Sequence, residues 1–519
     1  MPTLNWIGKE KIVNHDKEVP FRLLRKNKKY SLGNSENLIL EGDNLEALKA
    51  LMPFYYGKIK CIYIDPPYNT GNEKWVYNDK VNSPKIREWL GKVVGPEGDD
   101  LCRHDKWLCM MYPRLKLLKD LLKDDGVIFI SIDDNEHCYL KHIMDDVFGS
   151  ENFITTFIWK KKSTSTNVSG SQVSSLTDYV ITYGKSTDSK LKQRMRPKET
   201  REYPYKDKKG NYRLTIIEKK HAGSYERESM RFPIMGIEPR ESKRWQIGLE
   251  KAQELEKKKR FIIENGGIKL KIYDFEDRDT FSAQPNLLDF CGSSDIAAKM
   301  LAEIFGRQEL FDNPKPIELI KHLVAISSGK DDLILDSFAG SGTTAHAVLD
   351  LNKEDGGNRK FILVEMEKNI AKNITAERVK RVAKGYSYKK NGGTAVKVAG
   401  LGGGFEYVEL GEPLFDKDGM INKAVSFEDM ARYVYFTETR TNLEKKNIKG
   451  NYLGEFGSSH YFLLFDGIDK NILNRKFLKE LKSKDGRKII YADKCLLDDE
   501  ILEKNQIIFK QIPYQVKVY

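Results

Sequence analysis

A chain of 519 residues with 40% hydrophobic content can bury a large core and should divide into roughly two or three domains. Its formal charge of +12 favours a polyanionic partner, and the absence of a signal-like apolar start or of any apolar run near the ~18 residues of a membrane helix predicts a soluble, cytoplasmic protein with no membrane partner. Cys61, Cys102, Cys109, Cys138, Cys291 and Cys495 are scattered without a C-x-x-C pair, so neither a disulfide framework nor a metal is expected, even where Cys102, His104 and Cys109 lie close together.

In chain order, residues 38–44 read as a strand and an acidic turn, with Asp43 in the place of a helix cap. The apolar run 59–64 reads as a second strand and ends in Asp65-Pro66-Pro67-Tyr68. The prolines fix φ and supply no N–H, so the Pro66 carbonyl can accept a hydrogen bond beside the Asp65 carboxylate. Tyr68 adds a flat face on which a nucleobase stacks for about 1–3 kcal/mol. Two acceptors and an aromatic platform describe a pocket for an exocyclic amino group. The plain alternative is a strand stop followed by ordinary turn residues.

Further along, residues 105–122 carry an amphipathic helix pattern, and 126–132 and 179–183 read as strands. Residues 188–304 are rich in Lys, Arg, Tyr and Glu and hold no catalytic motif. The basic runs 160–162, 206–209 and 257–260 are solvated faces, or, for the first two, phosphate contacts whose binding would weaken steeply with salt. The stretch Phe311-Asp312-Asn313-Pro314-Lys315-Pro316 introduces a helix over 317–327. Residues 332–336 then form a strand, 337–344 a turn containing Gly340 and Gly342, and 345–351 the start of a helix. That is the G-x-G-x-x-A layout of a nucleotide-type cofactor loop. A second strand, 360–365, ends in Glu365, placed to accept hydrogen bonds from ribose hydroxyls unless it is simply a solvated strand end. After the break at 400–404, residues 458–465 and 488–492 read as strands.

Taken together, the Asp65 tetrad (a DPPY motif), the Gly loop and Glu365 resemble the amino-methyltransferases that modify DNA with S-adenosylmethionine. The tetrad precedes the loop, which is the permuted order of the β class. The stretches Asp65-Pro66-Pro67-Tyr68-Asn69-Thr70-Gly71, 336–346 and the end region through Phe509-Lys510-Gln511-Ile512-Pro513-Tyr514 resemble modification (Mod) subunits of type III restriction systems.

The resemblance implies an α/β fold, a Rossmann-like S-adenosylmethionine-dependent methyltransferase sheet with an inserted target-recognition domain and a mixed α+β C-terminal region. It implies domains at 1–187 (arm and first part of the methyltransferase domain), 188–304 (target recognition), 305–390 (second part) and 391–519 (C-terminal). Asp65, Pro66, Pro67 and Tyr68 are expected to be catalytic, acting on N6 of a flipped-out adenine in duplex DNA. Asp43, Asn313, Lys315, Pro316, Asp336, Phe338, Gly340, Gly342, Thr343 and Glu365 are expected to hold S-adenosylmethionine, with no metal. Arg231, Arg240, Arg244 and Gln246 have the chemistry to read base edges. Double-stranded DNA, a restriction (Res) subunit and a second copy of the chain are the implied partners. An N4-cytosine methyltransferase and a catalytically idle DNA-recognition subunit are the alternatives.

Overall fold

The computed structural model describes residues 4–70, 103–164, 172–220, 227–389, 394–466, 471–481 and 485–512. Gly71, Cys102, Pro513 and Tyr514, named above, lie outside the described residues. Two compact units are present, one made of Met1–Leu191 with Pro285–Tyr519, the other of Lys192–Gln284.

The first unit is organised by a ten-stranded sheet. Its strands in chain order are β1 (Arg22–Lys26), β2 (Leu38–Glu41), β3 (Ile59–Ile64), β4 (Leu122–Ile132), β5 (Phe153–Lys160), β6 (Thr177–Gly184), β7 (Leu287–Leu288), β8 (Leu333–Asp336), β9 (Lys360–Glu365) and β10 (Glu406–Pro413). They lie in the order β1-β10-β2-β9-β8-β3-β4-β6-β5-β7. Every pairing from β10 across to β4 is parallel. Strand β6 runs antiparallel to both β4 and β5, and β1 is antiparallel to β10.

Parallel strands buried on both faces must be apolar at consecutive positions, and those of this sheet are. Leu38, Leu40, Ile62, Ile64, Ile128 and Ile130 point to one face. There they meet the helices α1 (Asn44–Tyr55), α2 (Arg103–Leu121) and α3 (His137–Phe148). The alternate residues Ile39, Cys61, Tyr63, Val127 and Phe129 point to the other. That face is covered by α4 (Ile317–Ser327), α5 (Thr343–Asp355) and α6 (Ala376–Lys384). The helix expected over 105–122 thus ends at Leu121, and the one expected from 345 starts two residues earlier, at Thr343.

Strands β3 and β8 are neighbours, with Leu335 opposite Ile62, but the chain leaves them in opposite directions. From β8 it passes through α5 to β9 on one side; from β3 it proceeds by way of α2 to β4 on the other. Such a reversal opens a crevice beyond the carboxyl ends of the two strands, where α/β sheets bind ligands.

Strands β1 and β10 extend this sheet from segments expected in the N-terminal arm and the C-terminal domain. Beyond β10, the helix Phe427–Thr439 starts with a capping box between Ser426 and Asp429. A four-stranded sheet follows, in the order Tyr452–Phe456, Ser459–Leu463, Arg487–Ala492, Ile507–Gln511.

The second unit, Lys192–Gln284, begins and ends inside the segment 188–304 set out above. It is built on an antiparallel sheet of Phe261–Glu264, Gly267–Tyr273, Gly210–Ile216 and Tyr205–Asp207. Its small core gathers Ile217, Phe232, Ile234, Trp245, Leu255 and Ile268.

One buried amide ties the cofactor-loop side of the large sheet together. Asn37 donates from Nδ2 to the Gly404 carbonyl (2.8 Å), and its Oδ1 accepts from the Phe361 N–H (2.9 Å). Asn37→Ala leaves both backbone groups buried and unpaired, so unfolding in urea should show a loss of about 2–3 kcal/mol.

Candidate active site

The Gly loop follows directly from β8. Gly340 (φ 48) and Gly342 (φ 78) adopt left-handed conformations that other residues rarely take. A Cβ at Gly340 would stand 2.8 Å from Phe311 Cζ, and one at Gly342 would stand 3.3 Å from Thr375 Cγ2. The loop is therefore closed on both sides. Helix α5 begins at Thr343 without a side-chain cap, so a ligand anion can meet the N–H groups of its first turn.

Two acids brace this loop from within. Asp336 accepts from the Phe338 N–H (3.0 Å) and from the Thr344 hydroxyl, and burial pushes its carboxyl up to about 7. Glu365, 1% exposed, accepts from the N–H groups of Gly340 (2.8 Å) and Glu367 (2.9 Å), and burial raises it too to about 7. Glu365 is thus no solvated strand end. Its oxygens already take backbone donors, and a carboxyl group has lone pairs beyond those to offer. Phe338 packs into the core on the α1–α3 face. Asp43 caps α1, accepting from the N–H groups of Leu45 (3.0 Å) and Glu46 (3.1 Å), while its other oxygen faces Arg114. Its neighbour Asn44 reaches the Ser337 carbonyl (3.4 Å) and so joins the turn after β2 to the loop.

At the end of β3, the carbonyl of Pro67 accepts from Trp107 Nε1 at 2.7 Å, which pins the tetrad to α2. The Tyr68 ring is half-buried while its hydroxyl is enclosed, and burial, with Asp65 and Asp178 nearby, holds that hydroxyl well above its ordinary range. Next in sequence, Asn69 (φ 57) is fully buried and donates to Glu136, which also pairs with His104 Nδ1 at 2.7 Å.

Lys315 departs from its expected cofactor-side place. Its ammonium lies 2.7 and 2.6 Å from the two oxygens of Asp65 and 4.8 Å from the centroid of the Tyr68 ring. Its own carbonyl accepts from the Thr343 hydroxyl at 3.3 Å. Asn313 is exposed with φ 49, and Pro316 leads into α4.

Several residues of the site carry no motif. Arg378 on α6 is buried behind the loop, donating to Ser341 Oγ (2.9 Å) and Thr343 Oγ1 (2.8 Å). Its guanidinium also faces His346 Nδ1 at 3.4 Å, and burial together with that guanidinium keeps His346 neutral. The signal for Arg378 was its spacing: it shares a helix face with the buried Thr375 and Val382. Asp178 on β6 pairs with Lys161 at 2.6 Å, and burial raises its carboxyl while Lys161 and Lys315 pull it down. No pattern in the sequence pointed to that pair. Lys161 is accordingly an internal ion-pair partner in this structure.

A nucleotide-type cofactor bearing a carboxylate fits this donor set. The start of α5 is uncapped, a buried cation stands behind it, and a buried acid ends the next strand. Among the described residues, no group of three or more His, Cys, Asp or Glu side chains could hold a metal ion.

The family described as DNA methylase matches residues 59–377, which contain both the tetrad and the loop. The chain belongs to this DNA methylase family. The StyLTI Mod subunit, a type III restriction-modification enzyme subunit of Salmonella typhimurium, is 36% identical over 66% of this chain and 54% of its own length. The corresponding EcoP15I Mod subunit of Escherichia coli is 29% identical over 70% of this chain and 64% of its own. The type II methyltransferase M.KpnI of Klebsiella pneumoniae is 33% identical over 66% of this chain and 83% of its own. The chain therefore spans less than two thirds of the length of these two Mod subunits.

Within the second unit, the four base-reading candidates make internal contacts. Arg240 pairs with Glu218, Arg231 donates to the Lys243 carbonyl, Arg244 to the Trp245 carbonyl (3.4 Å), and Gln246 to the carbonyls of Ile216 and Glu218.

The two raised acids of the Gly loop set a pH dependence. Asp336 and Glu365 favour the folded state when protonated, so their contribution is present below their ordinary values of 3.8 and 4.5 and is lost as pH rises through about 7. The melting temperature of the ligand-free protein should fall from about pH 5 to about pH 8, and Asp336→Asn should flatten that slope.

Proposed function

We propose that this chain transfers a methyl group from S-adenosylmethionine to N6 of a flipped-out adenine in duplex DNA, as the modification subunit of a type III restriction-modification system. The observation that carries the reading is the link between the two halves of the site: Thr343 of the cofactor loop bonds the backbone of Lys315, whose ammonium holds Asp65. An amino-group acceptor and a cofactor loop are thereby joined through one residue across the crevice.

When bound, the cofactor supplies an electrophilic methyl group on a sulfonium. The start of α5, with Arg378 behind it, receives the carboxylate, and Glu365 accepts ribose hydroxyls with its remaining lone pairs. Adenine N6 is a poor nucleophile because its lone pair is delocalised into the ring. Flipping the nucleotide costs a few kcal/mol, offset here by stacking on Tyr68. Asp65 and the Pro66 carbonyl then accept the two amino protons. Both bonds strengthen as positive charge develops on nitrogen, which stabilises the transition state more than the bound substrate. The Trp107 bond at Pro67 and burial of the Tyr68 hydroxyl restrain these groups, and in-line attack on the methyl depends on such positioning.

Sequence reading by residues 188–304, self-association and pairing with a Res subunit belong to this proposal, and the type III Mod subunits among the relatives support the last of these. Such a protein works on DNA in the cytoplasm. Among the described residues, no helix is long and apolar enough to cross a membrane.

The test is to express the chain, sequence the host DNA for modified bases, and identify the nucleoside labelled by S-adenosylmethionine in vitro. N6-methyladenine is the expected product; N4-methylcytosine, or no labelled nucleoside, overturns the reading. Asp65→Asn should reduce methyl transfer by about a thousandfold, as loss of a transition-state acceptor does, while S-adenosylhomocysteine affinity stays within a factor of about two by calorimetry. Gly342→Val forces a branched side chain into the left-handed region against Thr375 and should weaken that affinity at least about tenfold.

A further inference from the structure

Lys315 stands where the target base has to be. Its three N–H donors face an acceptor meant for the two amino protons of a base, and both Asp65 oxygens are within 2.7 Å of its Nζ. The same ammonium covers the Tyr68 ring at 4.8 Å and lies 6.0 Å from the Trp159 ring. Its side chain is only 9% exposed. One cation therefore occupies both the hydrogen-bonding edge and the stacking face that a flipped nucleotide needs.

On the proposed reaction, we infer that Lys315 is a placeholder for the target amino group, and that a base seats only when the ammonium leaves Asp65. The physical need is plain. Asp65 shares its surroundings with Asp178, and two carboxylates in a partly buried site repel unless each has a cation. Lys161 answers Asp178 at 2.6 Å, and Lys315 answers Asp65. Asp178 also feels the charge of Lys315, so an ammonium that leaves Asp65 still has a second carboxylate in its surroundings. The Thr343 hydroxyl bonds only the backbone carbonyl of Lys315, so that link to the loop survives when the ammonium moves. Lys315 is thus a positioning residue: it sets the fraction of molecules with an open pocket, and the apparent affinity for a flipped base scales with that fraction.

The experiment uses a duplex carrying the methylated site found by sequencing, with 2-aminopurine next to the target adenine, so that fluorescence rises when the adenine leaves the stack and N6 is still present to compete. Without cofactor, Lys315→Met should raise the flipped fraction about tenfold, and Lys315→Arg, which keeps charge and donors, should leave it near that of the unaltered protein. Lys315→Gln should give a smaller gain and serves if the methionine variant does not fold. S-adenosylhomocysteine affinity should be unchanged in all three. An unchanged or lower flipped fraction in folded Met and Gln variants overturns the inference, as does a loss of S-adenosylhomocysteine affinity without a gain in flipping. These outcomes are separate from those for the proposed function, which fails only if the unaltered protein produces no N6-methyladenine.

Discussion

The pairing of β8 with β3, Ile334 opposite Cys61 and Leu335 opposite Ile62, brings together two segments that lie far apart in the chain. Because both strands run the same way, their following turns emerge at one edge of the sheet. Because the chain departs from them in opposite directions, no crossover helix among the described residues fills the space between those turns. The Gly loop and the Asp65 tetrad can therefore face one crevice, and the segment carrying Lys315 can bridge them.

Charge is distributed with care around that crevice. Asp65 and Asp178 each have a lysine within 2.6 Å, whereas Asp336 and Glu365 rely on backbone and hydroxyl donors and are raised to about 7. Arg378 is the reverse case, a buried cation bonded to hydroxyls, a carbonyl and a neutral histidine, with its pKa lowered by burial to about 10. A cation held against neutral dipoles still projects a positive potential, and here it stands behind the start of α5, whose own dipole has the same sign. Anion binding in front of the loop gains from both.

The second unit and the C-terminal region follow different rules. In Lys192–Gln284 a core of few apolar residues is reinforced by ion pairs, among them Asp277, which holds Arg201 and Arg213 and stays well below the usual carboxylate range because of them. Arg231, Arg240 and Arg244, which have the chemistry of base readers, bond carbonyls and Glu218 within the unit. In the C-terminal region, the strands Ser459–Leu463 and Arg487–Ala492 fall on the stretches 458–465 and 488–492 that read as strands.

Strands β2, β3, β4, β6, β8 and β9 were legible in the sequence because apolar runs such as 59–64 and 360–365 leave little choice, whereas β1, β5, β7 and β10 were not. The loop at Gly340 and Gly342 was legible because glycine takes left-handed φ values without the strain other residues meet there. The tetrad was legible because two adjacent prolines between an acid and an aromatic have few structural uses. By itself the sequence determined these local units and their chemistry, since each depends on neighbours within a few residues. It did not determine partners across space. Asp43 is engaged as a helix cap, and Lys315, two residues from Asn313, belongs to Asp65. Asp178, Lys161 and Arg378 enter the site from strands and a helix with no motif of their own. Only the tertiary structure decided these matters, because a carboxylate or an ammonium takes its role from whichever opposite charge is buried with it, and burial is set by the packing of the whole sheet.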